Sequence, residues 1–420
     1  MEKSAPSFRS KKLINEARTT LAGGAGCRSR CFFESSEEIV IDYGKGSRLY
    51  DADGREYMDF CISCGVNILG HANHNVVLAA KKTAERGTGF SLLSRAEIEM
   101  AGFLTRHVPS MERVRFVNSG TEATLSAIRL AKKATERRKI VSFEGCYHGF
   151  HGMVPVEPRK ESLDPAGLNI VLPYNNAAAF REAVESNHRE IACVIIEPVA
   201  AHMGIIPGDK DFLTAIREIT RRYGILLIFD ETMTAFRGFA GGFQSNGIVP
   251  DITCMGGVIG GGFSLGVYGG RADIMRSLSP EGSFYQSPTI VSQTVLRAGL
   301  MALRLMNDAF YKAVNKKAEY LVSSLNDVFI DHNLSVRVFN YYSMMSLVFS
   351  TARPSNYEES EAVKNPLLYQ ELGQYLLGRG IIIPQAEKEP FFISGKHSRK
   401  DLDIMIGEVK TFFLGKKDLS

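Results

Sequence analysis

An acid that closes a buried apolar run is the first place in this 420-residue chain where chemistry is expected. Ile225 to Phe229 follow the helix-stopping Gly224, too few residues for a helix, and the spacing predicts a strand buried on both faces with Asp230 at its carboxyl end. Ligands of open α/β sheets gather outside the carboxyl ends of the strands. A carboxylate buried there calls for a cationic partner, of which a protonated heteroaromatic ring nitrogen is one. Alternatively, Asp230 ahead of Glu231 and Thr232 would serve as a helix N-cap. The stretch by itself leaves both open.

Three further groupings also follow strands. In NSGTEAT, Asn118 to Thr124, the residues Ser119, Gly120 and Thr121 put small side chains and backbone N–H groups at a helix start, which suits a phosphate or an ordinary capping box with Glu122. In EGCYHGFHG, Glu144 to Gly152, Tyr147 is placed either to lie against an aromatic ring or to join the core, and His148 to hold that ring or contact a substrate. In EPVAAHMG, Glu197 to Gly204, Glu197 and His202 share one sheet edge; a histidine there suits proton transfer, or acts as a structural donor.

The elements that position these groups alternate between helix and strand from about Asn75 to Leu305. Helices are expected at 74–86, 95–107, 121–135, 177–186, 210–223 and 294–306, and strands at 114–117, 139–143, 192–197 and 225–230. Ahead of them, a helix over 8–21 and short β runs IVID, RLYD and EYMDF, the last two joined by the turn DADG, form a small β-containing lobe. Behind them, a helix over 308–329, strands VRVF and MMSLVF and a helix over 399–413 form a second α+β unit. The organisation expected is an N-terminal segment 1–70 contributing to a small domain, a large domain 71–307 and a C-terminal small domain 308–420.

Fifty basic against 46 acidic residues leave a net charge of +4, too mild for nucleic acid and without a block suited to a membrane surface. The run MEKSAPSFRSKKL lacks the apolar core of a secretion signal, so a soluble cytoplasmic protein is expected. Seven cysteines argue for reduced thiols rather than a disulfide framework. Cys27, Cys31, Cys61 and Cys64 have spacings that zinc accepts, but Cys61 and Cys64 sit in the largely apolar FCISCGVNILGH, so ordinary thiols and no metal are expected.

NSGTEAT, FEGCYHG, EPVAAHMG and FDETMTAFR in this order, followed by VIGGGFSLGVYGG, resemble the class III aminotransferases, most closely their glutamate-1-semialdehyde aminomutase branch. The resemblance runs from Gly23 to about Phe413, with YDADG, ILGHAN and GGRADIM in register. It implies an α/β, fold-type I enzyme dependent on pyridoxal 5'-phosphate (PLP), with a mostly parallel seven-stranded sheet between helices and a small α+β domain. It also implies a homodimer with shared active sites and a small amino compound as substrate.

Carried over by position, the resemblance gives Ser119, Gly120 and Thr121 to the phosphate, Tyr147 to one ring face, Asp230 to the ring nitrogen and Thr232 to the opposite face. Thr289 matches a threonine that completes the phosphate site of the neighbouring subunit. Arg30 and Glu389 match substrate-pocket residues, Cys64 replaces a pocket tryptophan, and His202 replaces an asparagine that contacts the ring hydroxyl. His148 and Glu197 belong to the same cofactor motifs.

Where the family reads G-K-x-I-G-G-G, with the Schiff-base lysine second, this chain reads Gly256-Gly257-Val258-Ile259-Gly260-Gly261-Gly262. Without that amine the cofactor is held noncovalently, as an adduct with an amino compound, or in its pyridoxamine form. His202 and Lys388 are candidates for the lysine's proton-carrying role. The run VEPRKESLDPAGLN is shorter and more charged than the aminomutase gating segment, which favours a specialised amino-group transferase. The alternatives are an aminomutase made lysine-less by mutation and a noncatalytic PLP-binding member.

Overall fold

The computed structural model describes residues 8–22, 39–150, 152–154, 167–243, 247–278 and 291–416. The chain divides into two compact units: one gathers Met1–Asn73, Lys312–Arg353 and Val363–Ser420, the other His74–Tyr311 and Pro354–Ala362.

The second unit is built on a seven-stranded sheet. Its strands are β1 (Arg113–Val117), β2 (Lys139–Phe143), β3 (Asn169–Leu172), β4 (Ile191–Ile196), β5 (Leu226–Asp230), β6 (Ile252–Met255) and β7 (Gly266–Gly270). Their spatial order is β1-β7-β6-β5-β4-β2-β3. All neighbours run parallel except β7, which is antiparallel to both β6 and β1. Every residue of β4 and β5 is buried, which explains their unbroken apolar runs: a parallel strand covered by helices has no solvent face.

The helix before β5, Lys210–Tyr223, buries Phe212, Leu213, Ala215, Ile216 and Ile219 and ends at Gly224, whose φ of 61° suits a residue without Cβ. At the amino-terminal end of β5, the Leu227 N–H donates to Asp251 Oδ2 at 2.8 Å. The same oxygen pairs with Arg217 at 3.0 Å, and Asp251 Oδ1 pairs with Arg271 at 2.9 Å. This end of the sheet is therefore anchored by an ion cluster centred on Asp251, leaving the carboxyl ends for other work.

The first unit contains a sheet of Ile41–Lys45, Arg48–Asp51 and Glu56–Asp59, with Ile381–Ile382 added parallel to the last. The first of these strands starts at Ile41 rather than Ile39. In the DADG turn, Asp51 Oδ1 accepts the Asp53 and Arg55 N–H groups at 3.0 and 2.8 Å, and Gly54 has a φ of 82°. A second sheet pairs Arg337–Tyr341, Met344–Val348 and Phe391–Phe392. The helix Arg399–Leu414 opens with a capping box between Ser398 and Asp401.

Candidate functional site

The carboxyl ends of β2, β4 and β5 bring the expected polar residues of the second unit together. Asp230, 2% exposed, closes β5. Its Oδ2 lies 2.8 Å from His148 Nδ1, and its Oδ1 accepts the Thr232 N–H at 3.1 Å and the Thr232 hydroxyl at 2.8 Å. A carboxylate only accepts, so Nδ1 carries the imidazole proton. His148 Nε2 is buried and has no hydrogen-bond partner among the described residues. The N-cap alternative for Asp230 reduces to its bond with the N–H two residues on, an Asx-type turn with no helix behind it.

Because the Thr232 hydroxyl turns back to Asp230, its methyl faces the start of the helix Gly120–Thr135. A Cβ at Gly120 would come within 2.8 Å of Thr232 Cγ2. A Cβ at Gly256 would lie 3.3 Å from Gly120 Cα and 3.5 Å from the same methyl. Strand end, helix start and the turn entering Gly257 thus meet around Thr232. Gly257 itself opens the short turn Gly257–Gly260 with a φ of 55°, a left-handed conformation that glycine adopts without Cβ strain.

Ser119 caps the helix, its Oγ accepting the Glu122 N–H at 3.1 Å, while Glu122 Oε2 accepts the Asn118 N–H at 2.7 Å. The capping alternative is therefore realised as an N-cap without the reciprocal bond of a capping box, and it does not use the N–H groups of Gly120 and Thr121. At the first helical positions they have no intrahelical acceptor and make this end electropositive. Thr124 adds a tie that sequence reasoning missed: its hydroxyl donates to the His148 carbonyl at 2.7 Å. Gly149 is equally specific, because a Cβ there would lie 2.6 Å from Thr121 Oγ1, and its φ is 90°.

Glu197, just past β4, joins two loops. Its Oε2 accepts the Tyr147 N–H at 2.9 Å and its Oε1 the Ala201 N–H at 3.5 Å. The Tyr147 and His202 rings meet edge to face, with centroids 5.6 Å apart. Burial, with Asp230 adding to it, pushes the Glu197 carboxyl well above the usual range, so the neutral acid is favoured. Burial and then Asp230 also raise the Tyr147 phenol. Glu231, which the sequence offered only as a neighbour of a capping Asp230, is buried as well and is pushed up to about 8, mainly by burial.

Cys64 and Glu389 belong to the first unit, where both act electrostatically on Cys61. Burial raises the Glu389 carboxyl, against the opposing effect of Lys388. Arg30, Thr289, Cys27, Cys31 and most of the VEPRKESLDPAGLN run lie outside the described residues.

The family model for class-III aminotransferases matches residues 33–390. The chain belongs to that family. As a class-III aminotransferase it is PLP-dependent by family and has the fold-type I architecture. It is 40% identical over 425 residues to a glutamate-1-semialdehyde 2,1-aminomutase of Sulfurihydrogenibium azorense, spanning 97% of this chain and 99% of that one. Among solved structures, a β-phenylalanine aminotransferase of Variovorax paradoxus superposes with a TM-score of 0.90 at 30% identity, covering 98% of this chain and 94% of the other. A transaminase with PLP bound gives a TM-score of 0.88 at 26% identity, with 98% of each chain covered.

Proposed function

We propose that this class-III aminotransferase binds PLP, or its pyridoxamine form, across the carboxyl ends of β2, β4 and β5, and transforms the amino group of a small amino acid or amino ketone. The observation that carries this is Asp230, a buried carboxylate held from two sides by His148 and Thr232. Its oxygens have more lone pairs than these bonds use, so an N–H⁺ donor from a ring nitrogen can still be accepted.

The bound cofactor would supply an electron sink for charge developing beside the substrate's amino group. This chain's residues do the rest. Asp230 holds the ring-nitrogen proton, and His148 and Thr232 keep Asp230 from turning away. Ser119, Gly120 and Thr121 receive the phosphate at the helix start, with Thr289 of the partner subunit completing the clasp in a homodimer. Tyr147 and the Thr232 methyl flank the ring, and Glu197 holds the Tyr147 and His202 loops together. His202 carries a proton on its imidazole in place of the absent lysine at Gly257. Arg30, Cys64 and Glu389 orient the substrate. The enzyme works in the cytoplasm.

Gly257 favours a second outcome, a member that holds PLP without turnover. The curated relative named an aminomutase supports a third, movement of the amino group within one molecule. Product analysis with amino donors separates the three.

The test is a titration of the purified chain with pyridoxamine phosphate and PLP, followed by absorbance. Saturable binding is expected, and Asp230→Asn should weaken it roughly ten- to hundredfold, the range of a lost charge-assisted hydrogen bond. Equal binding by the variant would refute the role of Asp230. Separately, Gly257→Lys should become covalently labelled by PLP after borohydride, and no labelling would reject the assignment of position 257.

A further inference from the structure

Cys61 and Cys64 stand on one turn of backbone with the uncommon hand. Ile62, Ser63 and Cys64 have φ of 46°, 53° and 55°, and Gly65 follows at 79°. Three consecutive non-glycine residues in this region persist only where surrounding bonds impose it, and such strain gathers at working sites. Here the bonds are visible. The Gly65 N–H donates to the Cys61 carbonyl at 3.0 Å, and the Asn67 N–H to the Ile62 carbonyl at 3.2 Å. Asp59 Oδ1 accepts the N–H groups of Cys61 and Ile62 at 2.8 and 3.1 Å, while its Oδ2 lies 2.7 Å from His71 Nε2.

A helical turn of either hand brings the Cα atoms of residues i and i+3 to about 5 Å. That falls within the window spanned by disulfide-bonded cysteines. Cys64 is exposed and Cys61 half-buried, and each is a thiol. The two sulfurs also sense each other, since Cys64 is among the groups that raise the Cys61 thiol.

We propose that Cys61 and Cys64 form a reversible internal disulfide by exchange with low-molecular-weight disulfides such as oxidised glutathione. The inference shares Cys64 with the proposed substrate site, but thiol exchange needs no cofactor and is read without turnover. Cys64 is the entry thiol, being the accessible one. Its thiolate attacks one sulfur of the small disulfide, forms a mixed disulfide and releases one small thiol. Cys61 then loses its proton to water and attacks the Cys64 sulfur, releasing the second small thiol. Two protein thiols are oxidised and one small disulfide is reduced to two thiols, so electrons balance. Burial first, then Asp59, Cys64 and Glu389, keep the Cys61 thiol protonated, which makes closure the slower step.

The test treats the full chain with oxidised glutathione, blocks remaining thiols with N-ethylmaleimide under denaturing conditions, and follows the tryptic peptide 56–81, in which Cys61 and Cys64 are the only cysteines. The expected result is a transient glutathione adduct at Cys64, followed by a peptide lighter than the dithiol form by the mass of two hydrogens, carrying no maleimide and restored by dithiothreitol. In Cys61→Ser the adduct at Cys64 should persist. A stable adduct at Cys64 in the unmodified chain, with Cys61 labelled by maleimide, would overturn the proposal, as would failure of both thiols to react.

Discussion

The backbone N–H of Tyr147 donates to Glu197 Oε2 at 2.9 Å, so the loop after β2 hangs from the end of β4. Since burial and Asp230 favour the neutral acid, glutamine is the closest isostere of Glu197. Glu197→Gln keeps one oxygen for the shorter Tyr147 bond and gives up only the 3.5 Å contact from Ala201, so stability is expected within about 1 kcal/mol, whereas Glu197→Ala leaves both N–H groups without their acceptor and costs roughly 1–3 kcal/mol. Denaturant unfolding of the two variants checks this. Equal losses in both would mean that the carboxylate charge is what matters.

Gly120 and Thr232 form a pair whose coupling can be measured. Gly120→Ala pushes a methyl within 2.8 Å of Thr232 Cγ2 and should cost roughly 1–3 kcal/mol, the usual range for overpacking. Thr232→Ser removes that methyl but keeps the hydroxyl that donates to Asp230. The double variant should recover most of the loss in a double-mutant cycle. Strictly additive effects would show that the two sites do not touch.

Asp251 is expected to be the most sensitive position at the opposite end of the sheet. It accepts from Arg217, Arg271 and the Leu227 N–H, so Asp251→Ala strands a buried guanidinium and a strand N–H together. A loss of about 3–5 kcal/mol is predicted by thermal or denaturant unfolding. A loss under 1 kcal/mol would contradict the anchoring role.

How far the sequence carried depended on which force shaped each element. The helix Lys210–Tyr223 and the strand Leu226–Asp230 were legible because apolar period, a glycine stop and full burial agree. β7 was not, because its glycines oppose strand propensity. They are required by close backbone: Cβ atoms at Gly266, Gly269 and Gly270 would meet carbonyl oxygens of Ser119, Arg113 and Asp251 at 2.1, 2.6 and 2.3 Å. β6 is only ITCM, too short for a periodic signal. In the site, Asp230 was readable from its strand end, but its bond to His148 spans 82 residues of chain and leaves no local mark.

Stability should depend on pH through buried groups of opposite sign, among them His397 on one side and Glu231, with Glu197 in the same direction, on the other. Burial pushes His397 down to about 4, so its neutral form belongs to the folded state. Its contribution is full above the ordinary histidine value and is lost as pH falls from there to about 4, on the order of 3 kcal/mol. Glu231, raised to about 8, contributes fully below the ordinary carboxyl range and loses that contribution as pH rises to about 8. Unfolding free energies measured from pH 4 to 8 should therefore show His397→Asn flattening the acid side and Glu231→Gln the alkaline side. A variant with the slope of the parent would remove that group from the account.

The role of Asp230 is tested most directly by nitrogen-15 NMR of ring-labelled pyridoxamine phosphate bound to the chain. A protonated ring nitrogen is predicted at neutral pH, lost in Asp230→Asn while the phosphate end stays bound. An unprotonated nitrogen in the parent protein, or the same resonance in both, would contradict the claim that this carboxylate holds the ring.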